Sequence, residues 1–140
     1  MPTRNAQARW TGPLKTGSGE LKTGSGLISG AYSFPSRFED GSGTTPEELI
    51  AAAHAGCYAM AFSALLGEAG HTPDHIDAEA RVTLSEVDGK PTITKVHLEV
   101  SGSVPGLDAA GFQEQAEVAK AFCPVSRALA GVEITLEVVA

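Results

Sequence analysis

Charge is sparse in this chain, aromatic rings are few, and there are only two cysteines. Charged residues make up 19 % of its 140 residues, and ten Lys and Arg face seventeen Asp and Glu, giving a formal net charge of -7. Binding to nucleic acid in general needs clustered cations to neutralise phosphate. No basic run is present, so that class is excluded. Cys57 and Cys123 stand far apart, which removes a Cys-x-x-Cys redox motif and any four-cysteine zinc site. Behind Met1-Pro2-Thr3-Arg4-Asn5 there is no apolar segment. No signal peptide is expected, and the cytoplasm is the default compartment. A structural disulfide is not expected there, and the plain reading of both cysteines is buried free thiols acting as small hydrophobes.

What is present is an ordinary globular composition, 42 % hydrophobic, of a length that suits one domain over residues 1–140. The chain is organised around the stretch Thr44 to Ser63. Thr45 as N-cap, Pro46 at the first helical position and Glu48 three residues after the cap predict a helix start with a capping box. From Leu49 to Gly67 no residue is formally charged, and the polar side chains are His54, Cys57, Tyr58 and Ser63. A helix apolar almost all round has to be buried on every side. The run is long enough for a bilayer, but it consists largely of Ala and Gly and lacks aromatic belts and basic flanks, so no membrane span is expected. Ala52, Gly56 and Met60 recur one turn apart. The Ala-x-x-x-Gly spacing lets two backbones approach, so a second copy of the helix is expected against the first, in a homodimer.

Around this helix the pattern is that of short strands. The tandem Lys15-Thr16-Gly17-Ser18-Gly19 and Lys22-Thr23-Gly24-Ser25-Gly26 lacks the Gly-Lys-Ser/Thr ending of a phosphate loop and reads as two turns. Leu27-Ile28 and Ala31 to Phe34 read as a strand interrupted by Gly30. Phe34 to Gly43 reads as a loop, in which Arg37 would ordinarily pair with Glu39 or Asp40. His71 and His75 are four apart, but Pro73 breaks the helix that would align them, so they are expected as loop residues rather than metal ligands. Residues 77–87 and 96–100 alternate as a hairpin turned at Asp88-Gly89, with His97 on its polar face and not expected to be a ligand. Asp108 caps a helix to about Phe122, Cys123-Pro124 interrupts it, and Val132 to Val138 closes the chain as a strand. The expected architecture is α+β, a mostly antiparallel sheet packed on a long, central, buried helix.

From the residues alone, Cys123 looks the more reactive thiol because it stands at a helix N-terminus. Mid-helix Cys57 should have a raised pKa unless a cation reaches it, and Arg37 and His54 are the candidates. Glu47 is placed to grip such an arginine through two hydrogen bonds.

At these positions the sequence resembles the OsmC/Ohr family of thiol-dependent peroxidases, the OsmC branch more than the Ohr branch. The motifs are Ser36-Arg37-Phe38-Glu39, Thr45-Pro46-Glu47-Glu48-Leu49-Ile50, Ala53-His54-Ala55-Gly56-Cys57 and Cys123-Pro124-Val125-Ser126. The resemblance implies an intertwined OsmC-like homodimer with active sites at the interface. It implies that Cys57 attacks the peroxide, Cys123 resolves, Arg37 activates and Glu47 orients the arginine, against the ranking of the two thiols by helix position. It implies organic hydroperoxides as substrates, with hydrogen peroxide a further candidate, and an external dithiol, such as a lipoylated protein, as reductant. No cofactor and no metal are expected. Phe34, Phe38, Phe62 and Phe122 are candidates for an apolar mouth and equally for plain core. Two other classes remain open: a non-redox cysteine hydrolase using Cys57 and His54, and an inert dimeric binding module.

Overall fold

A computed structural model describes residues 1–139 and divides the chain into two compact units, Met1–Leu49 and Ile50–Ala140. The first unit is a three-stranded antiparallel sheet in the order β1 (Ala6–Thr11), β2 (Ser18–Thr23), β3 (Ser29–Tyr32). Gly19 of β2 sits beneath Trp10 and Tyr32, whose rings lie 5.6 Å apart, where a Cβ would collide with both. The two copies of the Lys-Thr-Gly-Ser-Gly repeat flank and enter β2. Gly17 N–H closes a turn on Pro13 O at 2.7 Å, and Gly26, at φ 76°, turns the chain from β2 into β3. Leu27 and Ile28 lie in that second turn rather than in a strand, because Ile28 O and N–H are taken up by Thr23.

The stretch expected as a loop after β3 contains one turn of helix, α1 (Phe34–Phe38). Ser33 and Ser36 close it reciprocally, Ser36 N–H donating to Ser33 Oγ at 3.1 Å and Ser33 N–H to Ser36 Oγ at 2.8 Å. Pro35 supplies a preset helical φ. Ser36 Oγ also donates to Thr44 O at 3.0 Å, which ties the turn to the chain entering the long helix.

That helix, α2 (Pro46–Glu68), starts where the sequence predicts. Glu48 N–H donates to Thr45 Oγ1 at 2.9 Å, but the other half of the capping box is absent, since Glu48 Oε2 accepts from Thr44 Oγ1 at 2.7 Å instead. The second unit contains the antiparallel hairpin β4 (His75–Val87) and β5 (Lys90–Ser103), with β6 (Glu133–Val138) parallel to β5. Asp88 at φ 52° and Gly89 at φ 75° form the tight turn that Asp-Gly favours. Between β5 and β6 run α3 (Ala109–Phe122) and α4 (Pro124–Ala128). Asp108 caps α3 through Gly111 N–H at 2.7 Å. Tyr58, Phe62 and Leu66 from α2 and Val96, Leu98 and Val100 from β5 are fully buried, with Ala116 and Ala119 of α3 and Cys123 completing the core. Alternation along β5 sends these valines and leucine to one face and Lys95, His97 and Glu99 to the other.

The opposite face of α2 is bare in the single chain. Ala52, Ala53, Gly56, Met60, Ser63, Ala64 and Gly67 are exposed, Met60 to 77 %. The helix is apolar and long enough to cross a membrane, but Tyr58, Phe62 and Leu66 are committed to the protein's own core.

Candidate active site

The four residues singled out from the sequence occur as two couples, one in each unit. Arg37 comes from the last turn of α1, and Glu47 stands in the first turn of α2. The guanidinium Nη2 lies 2.8 Å and Nε 3.0 Å from Glu47 Oε1, with Nε 3.3 Å from Oε2. Glu47 is 7 % exposed, and the Arg37 side chain 34 %. The guanidinium carbon lies 5.4 Å from the Phe38 ring centre, and the Phe34 and Phe38 rings meet at a tilt of 42° with their centres 4.9 Å apart, so the fork is held by charge on one side and a ring on the other. Arg37 thus pairs with neither Glu39 nor Asp40; the unexpected helical turn of α1 carries its side chain to Glu47 instead.

The second couple is Cys57 with Cys123, both free thiols. Cys57 is half-buried near the middle of α2. Cys123 is fully buried and serves two helices at once, ending α3 with its N–H on Ala119 O at 3.0 Å and preceding α4. Its φ of -55° and ψ of 126° are the extended conformation that proline imposes on the residue before it. This break swings the chain so that the Val125 N–H, unclaimed in the first turn of α4, and the Cys123 thiol both face the Cys57 sulfur. Burial pushes the Cys57 thiol above its ordinary pKa, the Val125 N–H pulls it down, and the neighbouring Cys123 thiol pushes it up again.

Two residues beside the thiols were not given this placement by the sequence. His54, fully buried on α2, meets Ser126 of α4 at 2.7 Å, Nε2 to Oγ. Tyr58, the residue after Cys57, donates its hydroxyl to Ala116 O of α3 at 2.9 Å, and its pKa is raised, first by burial. The sequence signal was the spacing, since His54 and Ser126 each stand three residues from a cysteine.

Among the proposed apolar residues, Phe62 belongs to the core, packed on Phe112 at 5.1 Å and Tyr58 at 5.9 Å. Phe122 is 52 % exposed. On the outer face of the second sheet, His97 Nε2 lies 3.8 Å from Glu99 and 3.6 Å from Glu137, close enough for the three to share a cation. Arg81 already occupies Glu99 and Glu79 there.

The two thiols face each other, Cys57 half-buried at mid-helix and Cys123 buried at a Cys-Pro break, and a family model described as OsmC-like protein matches residues 39–137. The chain belongs to the OsmC-like family. It is 49 % identical over 135 residues to the peroxiredoxin OsmC of Escherichia coli, a match covering 96 % of this chain and 94 % of that one. It is 32 % identical over 98 residues to an organic hydroperoxide resistance protein of Xanthomonas axonopodis, covering 69 % and 67 %. Among solved structures, the organic hydroperoxide resistance protein OhrB of Bacillus subtilis superposes with a TM-score of 0.73 at 28 % identity, covering 96 % of this chain and 98 % of the other. Two three-stranded sheets and one long helix are what the OsmC-like fold contains.

Proposed function

We propose that this OsmC-like protein is a cysteine-based peroxidase that reduces organic hydroperoxides, with Cys57 as the attacking thiol and Cys123 as the resolving one. The observation that carries the reading is the placement of both free thiols together, with the Val125 N–H turned to Cys57. The names of the Escherichia coli and Xanthomonas relatives support the same chemistry.

The Cys57 thiolate attacks one peroxide oxygen, the O–O bond breaks, and the leaving alkoxide takes a proton to become an alcohol. Cys57 is left as a sulfenic acid. The Cys123 sulfur then displaces the hydroxyl, which leaves as water with the Cys123 proton, and a disulfide closes. An external dithiol reduces it and resets the pair. For that part the resemblance suggests a lipoylated protein or another small dithiol. The resemblance assigns Arg37, fixed by Glu47, to activating the thiol and orienting the peroxide. Two chains associate through the bare face of α2, an apolar strip that a single copy leaves in water.

A hydrolase built on Cys57 and His54 is disfavoured, because His54 is buried and bonded to Ser126. Mass spectrometry after exposure to an organic hydroperoxide tests the assignment. Cys57→Ser should stay reduced and consume no peroxide, while Cys123→Ser should stop at a sulfenic or sulfinic acid on Cys57. The reverse pattern would exchange the two roles.

A further inference from the structure

The hydrogen bond between His54 and Ser126 joins positions 72 residues apart, and both side chains lie in the interior. His54 precedes Cys57 by three residues on α2, and Ser126 follows Cys123 by three on α4. On the other side of Cys57, Tyr58 is bonded to Ala116 of α3. The attacking thiol is therefore bracketed by two polar ties, one to each of the helices that meet at Cys123. The tie to α3 joins a long, well-packed helix. The tie to α4 holds a five-residue helix whose N-cap, Cys123, makes no side-chain capping bond.

This second tie is not what stability alone would select. The remaining ring nitrogen of His54, Nδ1, is buried without a hydrogen-bond partner among the described residues. An unpartnered polar atom inside a core costs stability that an apolar side chain of similar shape would avoid. Whichever ring nitrogen carries the proton, the bond to Ser126 can form, with Nε2 either donating or accepting.

We propose that the His54–Ser126 bond is a latch that holds Cys123 in register with Cys57, which makes both positioning residues that act more on disulfide closure than on peroxide attack. The inference rests on the peroxidase reading given above. Closure breaks the S–O bond of the Cys57 sulfenic acid, forms the S–S bond and releases water. It demands that the two Cβ atoms come to about 3.5–4.5 Å, a tolerance a loosely held α4 would miss. Peroxide attack does not involve the Cys123 sulfur, and depends on α4 only through the Val125 N–H that faces Cys57.

Single-turnover kinetics of the whole protein with tert-butyl hydroperoxide separate the two steps, reading sulfenic acid with a dimedone trap and closure by loss of both thiols. Ser126→Ala and His54→Leu should slow closure by about tenfold or more, and slow attack on peroxide, through the Val125 N–H, by a clearly smaller factor. When a second equivalent of the hydroperoxide is then added without the trap, it should oxidise the lingering sulfenic acid to a sulfinic acid on Cys57 in both. His54→Gln, whose amide nitrogen can take the place of Nε2, should restore most of the closure rate. Closure at the wild-type rate in Ser126→Ala would overturn the latch. So would equal slowing of both steps, or a Gln variant that closes no faster than the Leu variant. A wild-type protein that never loses the thiol pair would instead overturn the peroxidase reading, and that is seen without any variant.

Discussion

Arg37 grips Glu47 through two different nitrogens, Nη2 at 2.8 Å and Nε at 3.0 Å from one carboxylate oxygen. A lysine has one nitrogen and no planar fork, so it could hold the carboxylate or face a substrate but not do both. Arg37→Lys is therefore expected to be impaired nearly as far as Arg37→Ala. A cation that lowers a thiol pKa raises the thiolate fraction about tenfold per unit until the thiol is fully ionised, and Arg37→Ala should lose about tenfold or more of the rate at neutral pH. Glu47→Ala should move the same way, and the double variant should be little worse than Arg37→Ala, because the two act as a unit. The measurement is the second-order rate of Cys57 oxidation against pH. Fully additive losses, or an unmoved Cys57 titration in Arg37→Ala, would reduce the pair to a surface salt bridge.

His54 makes a second, independent expectation. Burial holds its pKa below the ordinary 6.5, so the folded protein keeps the ring neutral where the unfolded chain protonates it. The unfolded state then binds more protons, and stability present above pH 6.5 is lost as pH falls from there towards the depressed folded value. The slope from this one group is at most about 1.4 kcal/mol per pH unit. Urea unfolding of wild type and His54→Gln between neutral and mildly acidic pH should show a shallower acid limb in the variant. Parallel limbs would mean that the ring is protonated when folded.

Much of the arrangement was legible because it is local. The Thr45-Pro46 start of α2, the Asp88-Gly89 turn, the Asp108 cap and the break at Cys123-Pro124 each depend on a few adjacent residues, and each stands where the sequence puts it. The helical turn at Phe34–Phe38 was missed, although its capping pair Ser33 and Ser36 was visible, because a five-residue helix has no periodicity to read. The Glu48 carboxylate went to Thr44 rather than back to the cap, a choice between two neighbouring donors that spacing does not decide. His54 with Ser126 and Tyr58 with Ala116 were beyond reach, since a contact across 72 or 58 residues is set by how helices pack and not by either local sequence.

The bare face of α2 bears on assembly. Met60 is 77 % exposed in the single chain, in line with Ala52 and Gly56, so a charge there should cost little in the isolated fold and much in a paired one. Sedimentation over a wide dilution range should find wild type as a dimer throughout, with an unfolding midpoint that rises with concentration. Met60→Asp should dissociate or fail to assemble. A dimeric Met60→Asp, or a stable wild-type monomer at low concentration, would remove α2 as the pairing surface.

The central claim is that Cys57 and Cys123 form one redox couple, and a thiol count tests it most directly. The fully reduced protein is given one equivalent of an organic hydroperoxide, and its free thiols are titrated before and after under denaturing conditions. The account predicts that both thiols of each chain disappear, that a dithiol restores them, and that peptide mapping joins Cys57 to Cys123 within one chain. Two thiols still free after the peroxide is added, or a disulfide linking different chains, would contradict it.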